Sequence, residues 1–292
     1  MKMTARAKFF LLCAFSLVVW WFPIKETVSL AFTDGQYTHI LLIVPTSSAL
    51  FYLGRKRLVL IAPDAKYVFW FLLALCLTVF LLLQYKLEFN ADMRLTLLVA
   101  VLVIWWLTSF ALCFGSRNFK VFAFPLCFLF WIVPWPSSFL DLVVQALQQY
   151  SATGVAWIFQ VFGIPVLRDG VVLSIPGLTI EVAKECSSIR SSLILLVSSM
   201  VLAQLFLRSK WLKTVITLVA IPLSVAKNVI RIFTLSILGL RVNRGFLTGR
   251  LHHEGGVVFY AGALAVVFLL TYFFSRYEMN SAYRPISSTA TR

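Results

Sequence analysis

Eight apolar runs make up most of this sequence, and each has about the length of a helix that crosses a lipid bilayer. The runs lie at residues 9–22, 38–53, 67–83, 95–114, 119–135, 187–207, 212–236 and 256–275. A transmembrane helix needs about 20 mostly apolar residues, and the shorter runs reach this length with help from flanking residues. The sequence therefore predicts an all-α polytopic membrane protein with about eight transmembrane helices. We expect a single integral-membrane domain at residues 1–276, followed by a short polar cytoplasmic tail at 277–292.

The composition excludes both a soluble domain and a disordered chain. Hydrophobic residues make up 61% of the 292 residues, charged residues make up only 13%, and the mean hydropathy is +0.91. A soluble globular domain is about half apolar and about one quarter charged, and a disordered segment is poorer still in apolar residues. The net charge of +15 would indicate nucleic-acid binding in a soluble protein, but basic loops beside a membrane explain it here. We therefore expect the lipid bilayer as a partner and no nucleic acid.

Basic residues concentrate in alternate connections between the apolar runs, and this pattern orients the chain. They are Lys2, Arg6 and Lys8; Arg55, Lys56, Arg57 and Lys66; Arg117 and Lys120; Arg208, Lys210 and Lys213; and Arg276, Arg284 and Arg292. By the positive-inside rule, these connections and both chain termini lie in the cytoplasm. Arg241, Arg244 and Arg250 fall instead on the predicted outer side, where an anionic ligand would account for them.

The longest connection begins with a segment, residues 137–162, that is polar on one side only. Its polar residues at helical spacing are Asp141, Gln145, Gln148 and Gln149. This pattern predicts a short extracytoplasmic amphipathic helix that lies at the membrane interface or re-enters the membrane. A ninth transmembrane span is the alternative, and it would move the following Cys186 to the cytoplasmic side.

Residues 171–183 alternate apolar and polar side chains on both sides of Pro176-Gly177. Proline at the second position and glycine at the third fit a type II turn, and the alternation is typical of strands. The sequence therefore predicts a short β-hairpin before the sixth span, with its second arm leading to Cys186.

Three polar clusters mark the ends of apolar runs. They are Cys186 at the start of the sixth run, Lys227-Asn228-Val229-Ile230-Arg231 near the end of the seventh, and His252-His253-Glu254-Gly255-Gly256 at the start of the eighth. The predicted topology places all three clusters on the outer face. A thiol, a guanidinium and an imidazole at one depth supply a nucleophile, an oxyanion donor and a base. These residue types indicate a membrane-embedded thiol enzyme that catalyses acyl transfer.

The surroundings of Cys186 favour its thiolate form. Ser187 and Ser188 are good N-cap residues, the positive end of a helix stabilises a thiolate, and Arg190 lies one turn further on the same face. Arg231 lies inside an apolar run, where a charge indicates function, although extension of its side chain to the lipid headgroups is the alternative. The chain has no CxxC pair, and adjacent histidines lack the usual zinc-ligand spacing, so we expect no metal and no cofactor.

These clusters resemble the motifs of one known family. Glu185-Cys186-Ser187-Ser188-Ile189-Arg190-Ser191 resembles the cysteine motif of the exosortase/archaeosortase family, Asn228-Val229-Ile230-Arg231-Ile232 resembles its arginine motif, and His252-His253-Glu254-Gly255-Gly256 resembles its histidine motif. Tyr37-Thr38-His39 with Pro45, and Pro165-Val166-Leu167-Arg168-Asp169-Gly170, resemble further signatures, so the resemblance covers about residues 30–275. Ser188 stands where the family often has glycine. The doubled histidine leaves the base open, although the spacing H-x-x-G-G favours His252 over His253.

The resemblance implies a membrane cysteine protease or transpeptidase. Such an enzyme cleaves C-terminal sorting signals, of the kind called PEP-CTERM, from exported proteins at the outer face of the bacterial cytoplasmic (inner) membrane. Its catalytic residues here would be Cys186, Arg231 and His252. Its partners would be membrane-anchored substrate proteins and an unknown envelope acceptor. Candidates for binding substrate, an anionic acceptor or a headgroup are Arg190, Asn228, Arg241, Arg244, Arg250 and His39.

Two other functions remain open. A polytopic transporter or lipid-linked glycan exporter would use the intramembrane charges as a pathway, but the polar clusters lie at one predicted face and no inverted repeat is visible. A membrane acyltransferase would use His252 or His253 as its base and would not need Cys186. Replacement of Cys186 by alanine distinguishes both of them from a cysteine protease.

Overall fold

The computed structural model describes residues 4–59, 66–85, 89–182, 189–242 and 256–282. The chain divides into two compact units, Met1–Leu140 and Asp141–Arg292. The helices are α1 (Ala5–Val19), α2 (Trp21–Thr33), α3 (Ile40–Gly54), α4 (Lys66–Tyr85), α5 (Ala91–Val121), α6 (Ala123–Phe128), α7 (Ser137–Val161), α8 (Ile189–Phe206), α9 (Lys210–Arg241) and α10 (Gly256–Ala282). Short 3-10 turns cover Gly35–Tyr37, Arg55–Arg57 and Leu129–Ile132. The strands are β1 (Leu167–Asp169), β2 (Val172–Ile175) and β3 (Leu178–Glu181).

The predicted fold class is confirmed. Six described helices are long and apolar enough to cross a membrane, and the number rises to eight if each of two bent helix pairs counts as one span. The predicted amphipathic helix is also present as α7, although at 25 residues it is not short. It forms part of the second bent pair. The orientation of the helices in the membrane, and the single domain at residues 1–276, stay predictions.

Within Met1–Leu140, tryptophan side chains tie α1 to the long helix α5. The indole of the fully buried Trp20 donates to the carbonyl oxygen of Leu98 at 3.1 Å, and that of Trp105 donates to the carbonyl oxygen of Leu12 at 3.1 Å. The Trp20 ring also packs 4.5 Å from Phe80 of α4, measured between ring centroids. An indole N–H inside a bilayer finds no water. These bonds therefore satisfy polar groups and fix the neighbouring helices at the same time.

Two of the predicted spans differ from the structure because the helices break. The first run, 9–22, does not end at Phe22: the chain bends by 76° between α1 and α2, and α2 continues to Thr33. The predicted fifth span, 119–135, is not one helix. Its start belongs to α5, which is itself interrupted at Gly115 with φ of 82°, and α6 and a 3-10 turn follow. A φ in this range suits glycine and strains other residues.

Within Asp141–Arg292, the three strands form a small antiparallel sheet in the order β1-β2-β3. The predicted hairpin is confirmed as β2 and β3, with Ile175 opposite Leu178 and Gly177 at φ of 84°, as a type II turn requires. The sequence did not predict β1, which pairs with β2. The guanidinium of Arg168 ties β1 to α7, because it donates to Gln149 Oε1 at 2.8 Å and to Thr153 Oγ1 at 2.7 Å.

Helix α7, the sheet and α9 share one apolar core. The buried members of this core are Ala152, Val155, Ala156, Phe159, Leu173, Ile175, Val182, Val229 and Ile232. The polar face that suggested an interfacial helix contributes to the same packing, since Gln148 is buried and its amide donates to the carbonyl oxygen of Val182 at 2.7 Å. Helices α8, α9 and α10 pack against one another around a second core that includes Leu195, Ile216 and Val267.

At Gly154, helix α7 lies directly against Val229 of α9. A Cβ atom added at Gly154 would lie 2.6 Å from Cγ2 of Val229, and the branched side chain of valine cannot easily move away. We therefore expect Gly154→Ala to destabilise the protein by about 1–3 kcal/mol, the usual cost of an overpacked core. The measurement is the midpoint of thermal unfolding of the purified protein in detergent.

Two variants control this prediction. Gly262→Ala adds the same methyl group in α10, where no atom lies within 4 Å of the new Cβ, and it should not lower the midpoint because alanine favours helix more than glycine does. The double variant Gly154→Ala, Val229→Ala should recover part of the loss. An unchanged midpoint in Gly154→Ala would show that the two helices can separate without cost.

Candidate active site

The polar cluster of α9 lies on the side of the helix that packs inward. Lys227 is 6% exposed and Asn228 is 2% exposed, and Arg231 is half-buried. Lys227 and Arg231 are four residues apart, so they occupy one face of the helix. Ionisable groups are costly in a membrane segment and mark functional sites.

Lys227 connects this cluster to the beginning of α8. Its ammonium group donates to Oγ of Ser191 at 2.5 Å. Ser191 is the third residue of α8, which begins at Ile189. The lysine directly before the arginine motif therefore contacts the described end of the cysteine motif.

Asn228 connects the cluster to α7. Its side-chain amide donates to Oγ of Ser151 at 2.9 Å, and both residues are buried. Ser151 and Gly154 lie three residues apart, so they face the same side of α7. Small residues on one face of a helix let a second helix approach closely. The bond from Asn228 and the contact of Val229 with Gly154 fix the rotation of α9, and thus the direction in which Arg231 points.

Arg231 connects the cluster to the beginning of α10. A Cβ atom added at Gly256, the first residue of that helix, would lie 3.9 Å from Cζ and 3.9 Å from Nη1 of Arg231. The start of α10 therefore lies beside the guanidinium. Two positive side chains and the positive ends of two helices, α8 and α10, therefore meet in one place. Such an arrangement stabilises negative charge, as an oxyanion site must.

The other predicted site residues are distributed as follows. Arg190 is exposed in the first turn of α8, and Arg241 is exposed at the end of α9. His39 belongs to the unit Met1–Leu140 and is only 4% exposed; its Nδ1 lies 3.3 Å from the carbonyl oxygen of Gln36. The residues Cys186, Arg244, Arg250, His252 and His253 lie outside the described residues.

Three residues that take part in these contacts, namely Lys227, Ser151 and Ser191, were not predicted as site residues. Lys227 carried a signal, because it is a lysine four residues from Arg231 within an apolar run. Ser151 and Ser191 carried none, since a serine in an apolar helix is common and its partner cannot be read from its position. Among the described residues, no group of three His, Cys, Asp or Glu side chains could hold a metal ion.

Comparison with known proteins identifies the family. A family model described as transmembrane exosortase matches residues 20–269. No curated protein and no solved structure matched the chain. The matched range covers most of the sequence and includes the three segments that carry Cys186, Arg231 and His252. This chain therefore belongs to the transmembrane exosortase family.

Proposed function

We propose that this protein is a membrane cysteine peptidase or transpeptidase that cleaves C-terminal sorting signals of exported proteins. The observation that carries the proposal is the position of the Arg231 side chain. Its guanidinium lies beside Gly256, and the neighbouring Lys227 binds Ser191. Gly256 and Ser191 belong to the histidine motif and the cysteine motif respectively.

Chain connectivity supports a meeting of the three motifs. Cys186 precedes Ile189 by three residues, and His252 precedes Gly256 by four. An extended chain spans at most about 3.6 Å per residue, so the Cα atom of Cys186 lies within about 11 Å of that of Ile189. By the same limit, the Cα atom of His252 lies within about 14 Å of that of Gly256. Both residues can therefore reach the side of α9 that carries Arg231.

The proposed reaction has two steps. The thiolate of Cys186 attacks the scissile carbonyl carbon, the oxyanion receives hydrogen bonds from Arg231, and His252 gives a proton to the leaving amine as the peptide bond breaks. The product of this step is a thioester between Cys186 and the substrate. Water or an acceptor amine then attacks the thioester, His252 takes the proton of the attacking group, and the thiolate of Cys186 leaves.

Neighbouring residues have supporting roles in this proposal. Lys227 adds a second positive charge beside Arg231, and Asn228 holds α9 against α7. Arg190 and Arg241 are exposed at helix ends and are candidates, with Arg244 and Arg250, for binding an anionic acceptor or headgroup. The proposed location is the bacterial cytoplasmic membrane, with both termini inside and the active site outside, because the basic connections alternate.

The first test removes the nucleophile. Cys186→Ala should abolish cleavage and leave the full-length precursor in the membrane, because no thioester can form. Immunoblotting of a substrate with a C-terminal sorting signal measures the precursor and the product. Cys127→Ala is the matched control, since Cys127 is an exposed thiol in α6 and should leave cleavage unchanged. Normal processing in Cys186→Ala would contradict the peptidase and favour an exporter or a histidine-dependent acyltransferase.

The second test replaces the guanidinium by an amine. Arg231→Lys keeps the charge but loses the planar fork that donates from two nitrogens, so the cleavage rate should fall by about 100-fold or more, as for a lost oxyanion donor. Arg276→Lys is the control, because Arg276 lies on α10 and bonds to Tyr272. Cleavage at the normal rate in Arg231→Lys would mean that the side chain only extends towards the headgroups.

The third test concerns the side of the membrane. A membrane-impermeant thiol reagent added to intact spheroplasts should label Cys186, because the predicted topology places it outside. Cys13, Cys76 and Cys113 should stay unlabelled, since they lie within α1, α4 and α5. Peptide mass spectrometry identifies the labelled residue. If Cys186 reacts only after permeabilisation, the outward orientation is wrong and residues 137–162 form a ninth span.

A further inference from the structure

The unit Met1–Leu140 contains a pocket of about 510 Å³ that the proposed peptidase does not use. Residues of α1, α3, α5 and α6 line it. Ligand pockets in proteins usually measure about 300–1,000 Å³ and combine mostly apolar walls with a few polar groups. The volume of this pocket and its position among four helices therefore suit an organic ligand.

Aromatic rings form the wall of the pocket. Phe51 and Phe122 are stacked with ring centroids 5.0 Å apart, and Phe110 lies 4.8 Å from Phe114. Phe9 of α1 meets Phe110 edge to face, with 5.9 Å between the centroids. These rings hold one another in place, so the apolar surface is formed before a ligand arrives. Such a wall accepts a hydrocarbon chain.

Two exposed arginines, Arg6 and Arg55, belong to the lining, and the described lining contains no Asp or Glu. The guanidinium of Arg55 lies 3.6 Å above the ring of Tyr52 and donates to the Tyr52 carbonyl oxygen at 2.7 Å. This bond uses one of the five N–H donors of a guanidinium. Arg55 is therefore held at the pocket, and other N–H groups of its guanidinium can donate to an anion.

The sequence around both arginines is positively charged. Residues 1–25 and 35–63 contain no acidic residue, while Lys8, Lys56 and Arg57 add further positive charge. An anionic phosphate is attracted to such a site, and Arg binds phosphate through two parallel hydrogen bonds. The other candidate occupant, a transmembrane helix that ends in a basic tail, would be repelled by the same positive charges. The ligand should therefore combine a hydrocarbon chain with a net negative phosphate.

We propose that this pocket binds an anionic phospholipid. An acyl chain lies against the aromatic wall, and the headgroup phosphate binds Arg6 and Arg55. Because Arg6 lies at the start of α1 and Arg55 begins the 3-10 turn that follows α3, the lipid links these two helices. The predicted topology places the site in the cytoplasmic leaflet. The site does not depend on the proposed peptidase, and its test does not use cleavage as a readout.

Lipid retention by the purified full-length chain tests the proposal. The chain is delipidated in detergent and incubated with mixed micelles that contain equal amounts of phosphatidylglycerol and phosphatidylcholine, and native mass spectrometry counts the bound lipids. We expect preferential retention of phosphatidylglycerol. Arg6→Gln and Arg55→Gln should each lower this preference about fivefold.

Two further variants distinguish a specific site from general attraction. Arg57→Gln removes the same charge two residues from Arg55 but outside the pocket lining, and it should change the preference much less than Arg55→Gln. Ser48→Trp places a large ring at an exposed lining position and should lower the retention of both lipids. Size-exclusion chromatography and the helical signal in far-ultraviolet circular dichroism verify that each variant is folded.

Three results would overturn the proposal. The first is equal retention of the two lipids by the unaltered chain. The second is an equal effect of Arg57→Gln and Arg55→Gln, which would indicate only a diffuse positive surface. The third is evidence that the pocket does not hold the lipid, either as unchanged lipid retention in Ser48→Trp or as a protein that co-purifies in place of lipid.

Discussion

A polar group inside a bilayer must find its partner within the protein, and most of the described structure depends on this constraint. The indoles of Trp20 and Trp105 bond to backbone carbonyls of other helices. Gln148 bonds to the backbone that follows β3, and Lys227 and Asn228 bond to serines of α8 and α7. Each of these bonds joins elements that are far apart in sequence. These polar residues therefore mark places where separate elements meet, and in α9 they adjoin Arg231, which carries the proposed chemistry.

Much of the fold could be predicted because a transmembrane helix is recognised by the average hydropathy of a long run of consecutive residues. The apolar runs other than 9–22 and 119–135, the amphipathic segment 137–162 and the hairpin turn at Pro176-Gly177 correspond to elements of the structure. The breaks at Trp20 and Gly115 could not be predicted, because a bent helix has the same average hydropathy as a straight one. Strand β1 was missed for another reason. Its three residues are exposed, so they lack the alternation of a half-buried strand, and only pairing with β2 makes them extended.

The candidate site was predictable to the extent that its chemistry is rare in a membrane segment. Arg231 is conspicuous in an apolar run, and its motif led to the family that the comparison then identified. The partners that hold α9 in place are ordinary residues. Ser151 lies 77 positions from Asn228, and Ser191 lies 36 positions from Lys227. Neither hydroxyl differs in sequence from those of Ser199 and Ser236, which donate to carbonyl oxygens of their own helices. The three-dimensional crossing of the helices selects them.

The close contact between Gly154 and Val229 also bears on how the protein can move. A helix that is held by a buried hydrogen bond and by a contact too tight for a methyl group cannot turn about its axis without separating from its neighbour. Helix α9 is therefore held to α7, and the backbone that carries Arg231 keeps its direction relative to α7. In the proposed peptidase, an opening for the substrate would therefore come from elements other than the α7–α9 pair. The proposed oxyanion donor would then sit on a helix that need not rotate during the reaction, as a preorganised site requires.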